Sequence, residues 1–140
     1  MSLYVLDTDH VSLFQRGHPQ VTGHVLTHLP ARLAVTIVTV EEQLRGRLSQ
    51  IRKAASGTSR VQGYRRLREA LEFFSQIRIL DFDEGAHLRY EGLRQQKVRI
   101  GTQDLCIAAI ALAVSGTLVT RNVRDFAQVP GLTIEDWSQA

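Results

Sequence analysis

Five short runs rich in β-branched residues, at 2 to 6, 33 to 38, 77 to 80, 117 to 120 and more weakly 132 to 134, are separated by long stretches with helical spacing. No tight hairpin signal joins any two of them. Parallel neighbours need a crossover of a dozen or more residues, whereas antiparallel ones close with a two-residue turn. The chain therefore reads as an α/β sandwich built on parallel pairing. At 140 residues it has the size of one domain, expected over 1–140.

Two helical stretches have distinct characters. Over 58 to 76, Val61, Tyr64, Leu67, Leu71 and Phe74 recur at steps of three and four, predicting one apolar stripe with Arg65, Arg66 and Arg68 outside it. From Leu105 to Val114 the chain is apolar all round and rich in alanine, as suits a helix buried against a sheet, and Val114-Ser115-Gly116 is expected to end it. The stretch from Ser49 to Gly63 mixes Ser, Gly and basic residues and reads as the one flexible join.

Chemistry enters with four acids in similar local settings. Asp7 follows Leu3-Tyr4-Val5-Leu6 directly, Glu42 follows the second run, Asp104 opens the apolar helix, and Asp125 follows the fourth run. Each of the last three has a structural alternative. Thr39-Val40-Glu41-Glu42 fits a capping box, Thr102 can cap the helix whose first turn holds Asp104, and Asn122 can cap the one that holds Asp125. Asp9 reads as a cap, Glu41 as solvated, Asp83 as an N-cap, His24 and His28 as a surface pair, and Trp137 as a packing anchor.

Against the capping readings stands a topological argument. Helices that start at the carboxyl ends of parallel strands bring their first turns to one sheet edge, so these acids would crowd together. Crowded carboxylates hold a proton between them unless a divalent cation neutralises them, and all-oxygen donors suit magnesium or manganese rather than zinc.

Bulk properties narrow the setting. The longest apolar run is far short of the roughly 20 residues a membrane helix needs, and Asp7 interrupts any signal-peptide core, so a cytoplasmic protein with no membrane partner is expected. Cys106 is the only cysteine and reads as a small core residue. Net charge is only +3, yet residues 45 to 68 carry eight basic groups and no acid. Arg45, Arg47, Arg52 and Lys53 in that segment are candidates for contacts to a phosphate backbone.

Taken in order, Leu6-Asp7-Thr8-Asp9, Thr39-Val40-Glu41-Glu42-Gln43-Leu44-Arg45-Gly46, Ile100-Gly101-Thr102-Gln103-Asp104-Leu105 and Leu118-Val119-Thr120-Arg121-Asn122-Val123-Arg124-Asp125-Phe126 resemble the PIN-domain ribonucleases, specifically the VapC-type toxins of toxin-antitoxin pairs. The resemblance runs over nearly the whole length. It implies a PIN-like three-layer α/β/α sandwich with a mainly parallel sheet. It also implies that Asp7, Glu42, Asp104 and Asp125 form an acidic quartet for Mg2+ or Mn2+, with Thr8, Thr120 and Asn122 supporting the ligands or bound water. Glu42 is preferred over Glu41 because the family's glutamate stands four residues before a glycine, here Gly46. Many relatives have Asn where this chain has Asp9. Homodimerisation and a cognate VapB-type antitoxin are further implications, the antitoxin lying in a groove lined by the 58 to 76 stripe and the first helices. The implied reaction is metal-dependent hydrolysis of RNA phosphodiesters.

Two other readings compete. Asp7-Thr8-Asp9-His10-Val11 also fits the opening motif of haloacid-dehalogenase-type phosphatases, with Asp7 as nucleophile and Asp9 as acid and base, but no convincing lysine or later acid pair accompanies it. A catalytically silent module that binds RNA or antitoxin through the same fold is the other.

Overall fold

Side chains along a strand alternate between sheet faces, and here the two faces feed two separate cores. A computed structural model describes residues 2–140. Its strands are β1 (Tyr4–Leu6), β2 (Leu33–Thr36), β3 (Arg78–Leu80), β4 (Thr117–Val119) and β5 (Thr133–Glu135), all paired in parallel in the order β3-β2-β1-β4-β5. Val5, Ala34, Leu80 and Leu118 point to one core, whereas Leu6, Leu33, Val35 and Val119 point to the other.

Among the described residues, seven α-helices fill the two outer layers: α1 (Thr8–Gln15), α2 (Pro19–Leu26), α3 (Ile37–Lys53), α4 (Gly57–Ser75), α5 (Glu84–Gln95), α6 (Thr102–Ala113) and the single-turn α7 (Val123–Phe126). α5, α6 and α7 pack on the first face through residues such as Leu93, Ile107, Ile110 and Phe126. α1, α2 and α4 pack on the second through Val11, Val21, Ala70 and Phe74, with Trp137 closing that core from the C-terminal segment. The result is the three-layer sandwich expected from the sequence. As predicted, α6 is buried on nearly every side, from Leu105 through Ile107 to Ala111.

Several local expectations are corrected. The second strand ends at Thr36, not 38, because the Thr36 hydroxyl accepts the Thr39 N–H at 3.2 Å and starts α3. That cap outweighs the strand preference of Ile37 and Val38. The segment from Ser49 to Gly63 is no flexible join. α3 runs to Lys53 and α4 starts at Gly57 with a capping box between Ser56 and Ser59. Gly63 lets these helices close together, since a Cβ there would lie 3.1 Å from Ile51 Cγ1. On α4 the buried face is Gly63, Ala70 and Phe74, while Val61, Tyr64 and Leu71 of the predicted stripe face outward. α6 ends with Ser115, not Gly116, in the left-handed region at φ 53°. Gly116 serves a different need: a Cβ on it would meet Val5 Cγ2 at 3.1 Å and the Leu3 carbonyl at 3.2 Å.

The chain moves from β1 to β2 and β3 on one side, then returns to the other side of β1 as β4. The loops after β1 and β4 consequently lead to helices on opposite faces, opening a crevice at the carboxyl ends of these two strands. Asp7 and Thr120 are the first residues past the strands at that crevice.

Candidate active site

Asp7 is the N-cap of α1, and its carboxylate accepts the Thr8 N–H and the Thr120 hydroxyl, both at 2.8 Å. Only 6% of the residue is exposed. Burial, chiefly, pushes its carboxyl up to about 7, with the nearby charges of Asp9 and Asp104 adding to the effect against those two hydrogen bonds.

Glu42 lies in the second turn of α3 and does not cap Thr39, because the cap belongs to Thr36 one turn earlier. It faces the crevice instead. Its Oε1 accepts the Thr8 hydroxyl at 2.8 Å, and that hydroxyl also lies 3.0 Å from the buried Thr39 hydroxyl. With its amide turned to satisfy both neighbours, Gln103 donates to Glu42 Oε2 at 3.1 Å and accepts from Arg45 Nη2 at 3.3 Å. Arg45 also pairs with the solvated Glu41 at 2.7 Å, which places this arginine at the edge of the acid cluster.

Asp104 sits in the first turn of α6. Gly101, not Thr102, is the N-cap there, and no side chain caps that end. The Asp104 carboxyl is raised by burial first and then by Glu42, Asp125 and Asp9, so it lies where the fields of the other acids meet. Asn122 occupies the N-cap position of α7 without making a side-chain cap. Its amide donates to Asp125 Oδ2 at 3.1 Å, while its N–H donates to the Thr120 hydroxyl at 3.0 Å.

Asp9 is not a helix cap. Its Oδ2 accepts the Arg121 N–H at 3.0 Å, and its Oδ1 lies 2.8 Å from Nδ1 of the fully buried His10. His10 Nε2 accepts the Trp137 N–H at 3.1 Å, which leaves the ring proton on Nδ1, donated to Asp9. His10, Thr39 and Gln103 are not among the site residues expected from sequence. Their signal is spacing alone, His10 beside Asp9, Thr39 one turn before Glu42 and Gln103 beside Asp104. His24 and His28 stack on the Trp137 indole with centroids 5.2 and 4.8 Å apart, so this pair is packing and Trp137 is the anchor expected.

The donor set is carboxylate, hydroxyl and amide oxygen, the chemistry of a hard divalent cation. A buried carboxyl that resists ionisation is also what a cation would relieve. Among the described residues, however, no three His, Cys, Asp or Glu side chains are gathered closely enough to hold an ion as they stand. The supporting hydroxyls and amides hold the acids individually rather than in a closed shell.

The sequence matches the PIN domain family over residues 4–132. The chain belongs to the PIN domain family. It is 28% identical over 142 residues to Ribonuclease VapC2 of Rickettsia felis, covering 98% of this chain and 99% of that protein. To the tRNA(fMet)-specific endonuclease VapC of Salmonella typhimurium it is 26% identical over 141 residues, with the same coverage. Among solved structures, VapBC2 of Rickettsia felis bound to a promoter DNA fragment matches with a TM-score of 0.73 at 28% identity, over 96% of this chain and 98% of that one. The DNA-bound VapBC of Salmonella typhimurium shares the fold, with a TM-score of 0.79 at 24% identity, 98% of this chain and 99% of that one. Membership in this family removes the phosphatase reading of the opening motif. In this PIN domain Asp9 is engaged with His10 and a backbone N–H instead of standing free as an acid and base. No helix among the described residues is long and apolar enough to cross a membrane.

Proposed function

We propose that this PIN domain is a metal-dependent endoribonuclease toxin restrained by a cognate VapB-type antitoxin, and that Asp7, Glu42, Asp104 and Asp125 are its catalytic and metal-holding residues. The observation that carries the reading is the action of the Glu42, Asp125 and Asp9 charges on Asp104, beside a buried Asp7 whose carboxyl is raised to about 7. Resemblance to proteins named ribonuclease and endonuclease over nearly their full length supports the activity. Structures of VapBC complexes that share the fold support the antitoxin.

Mg2+ or Mn2+ held there would supply charge neutralisation at the phosphodiester and an activated water. The chain's own residues prepare that place. Thr120 and Thr8 fix the orientation of Asp7 and Glu42, and Asn122 fixes that of Asp125. Burial of Asp7 limits water around it and strengthens every electrostatic interaction at the scissile phosphate. Arg45, 61% exposed at the margin of the cluster, is placed to meet an RNA phosphate as it arrives. A homodimer is part of the proposal, and the outward Val61, Tyr64 and Leu71 of α4 offer it an apolar face.

The test is cleavage of a mixed cellular RNA pool by the purified protein with magnesium or manganese, with EDTA, and with Asp7→Asn. Cuts that need metal and vanish in the variant are expected. Metal-independent cutting, or a folded Asp7→Asn protein that cuts as well as the parent, would refute the assignment.

A further inference from the structure

A cleft of about 800 Å3 lies apart from the four candidate acids. It lies between α1, α3 and α4, where Arg16, Arg47 and Arg66 converge with Gln15 and a single carboxylate, Glu69. None of the three arginines forms an ion pair among the described residues, although Arg45 and Arg68 on the same helices do. Arg47 is half-buried, its Nε has no hydrogen-bond partner, and its Nη2 reaches only Gln15 Oε1 at 3.4 Å. A partly desolvated guanidinium left unsatisfied is costly unless an anion completes it. A second cleft of about 430 Å3 shares Gln50 and Arg66 with the first and extends the positive lining to Lys53.

This cleft is aligned with the acid site. α1 has Asp7 as its N-cap and Gln15 as its last residue, and its eight residues span about 12 Å. Gln15 and Gln43 exchange two amide hydrogen bonds, at 2.9 and 2.8 Å, and so fix α1 against α3 at the residue after Glu42 and one turn before Arg47. A stacked strand advances about 3.4 Å per nucleotide, so about 12 Å corresponds to three or four nucleotides. From Arg47 to Lys53 along α3 is about 9 Å, two or three nucleotides more. A repeating anion fits cations spread over two joined clefts; one acidic side chain would use only the first.

We infer that the joined clefts between α1, α3 and α4 form a phosphate track, in which Arg16, Arg47, Arg66 and Lys53 hold the RNA backbone about two or more nucleotides from the bond that is cut. The inference rests on the ribonuclease reading. It adds Arg16 and Arg66 to the contacts expected from sequence and leaves Arg52, exposed and outside both clefts, off the track.

Arg16 and Arg66 are exposed, so Arg16→Gln with Arg66→Gln tests the track without disturbing the packed Arg47. Binding of a labelled single-stranded RNA of about 20 nucleotides is measured in EDTA, on an Asp104→Asn background, between about 50 and about 200 mM salt. Each lost contact should flatten the slope of log K against log salt by about 0.7, so the double variant is expected to lose about 1.4. A variant slope equal to that of its background, in a protein that still binds the RNA, overturns the track and leaves the ribonuclease reading intact. An unchanged slope combined with weaker binding of the antitoxin overturns it too and assigns the arginines to an acidic protein segment. If the background protein binds no RNA at all, and the parent cuts none with metal, both readings fall.

Discussion

Asp7 carries two opposed demands. Its carboxyl is raised from 3.8 to about 7, chiefly by burial, so the folded state prefers it protonated while the unfolded chain does not. Below the ordinary carboxylate value the residue is neutral in both states and costs nothing. As pH rises from about 4 to about 7 the unfolded chain loses its proton first, and metal-free stability falls over that window, by at most about 4 kcal/mol at 1.36 kcal/mol per pH unit. Asp7→Asn removes this cost and can still cap α1, because Asn is as good an N-cap as Asp. Calorimetry at pH 8 in EDTA should therefore show the Asp7→Asn variant melting above the parent, a gap that closes by pH 4. Equal melting temperatures at pH 8 would mean that the buried carboxyl imposes no such cost. A divalent cation competes with the proton at the same carboxyl, so magnesium or manganese should raise the parent's melting temperature more at pH 8 than at pH 6 and Asp7→Asn little at either.

At the level of elements, close backbone approach is the constraint least visible in the sequence. Gly116 sits between α6 and β4 with Val5 Cγ2 and the Leu3 carbonyl at 3.1 and 3.2 Å from any added Cβ. Gly116→Ala should push β4 from β1 at the crevice strands, lowering stability by about 1 to 3 kcal/mol, as overpacking of a core does. Urea denaturation checks this, and an unchanged midpoint would show that β1 yields without cost. In the sequence Gly116 reads only as a helix stop. The strands were legible because their runs are β-branched and set apart, and α6 because it is apolar all round. What periodicity alone misassigned is α4: Val61, Tyr64 and Leu71 satisfy the same three-and-four spacing as Phe74, but Gly63 and Ala70, too small to register as a stripe, are where the helix touches its neighbours. The acids illustrate the same limit. Asp7 is legible from the strand before it, whereas Glu42 also fits a capping box, an alternative that only the Thr36 hydroxyl, which caps α3 itself, removes.

Across the whole molecule, the polar cleft and an apolar one meet at a shared wall. Phe14 and Phe73, with ring centroids 6.0 Å apart, line both the arginine cleft and a groove of about 320 Å3 whose other walls include Val25, Leu26, Leu33 and Ile77. Leu26 and Leu29 beside it are 76% and 65% exposed, an apolar surface suited to the buried face of a partner segment. An antitoxin segment seated there would reach the two phenylalanines at the point where the proposed RNA path passes. Restraint of the nuclease would then arise from occupancy of a common wall, without any rearrangement of the acids. Leu26→Asp with Leu29→Asp places two charges where an apolar segment must bury itself, and both sites are exposed enough for the fold to accept them. Calorimetric titration with the cognate antitoxin should show the dissociation constant rising at least about tenfold, about 1.4 kcal/mol. RNA cleavage by the double variant should then persist at antitoxin concentrations that silence the parent. An unaltered dissociation constant would move the antitoxin off this groove and remove the shared wall as the means of restraint.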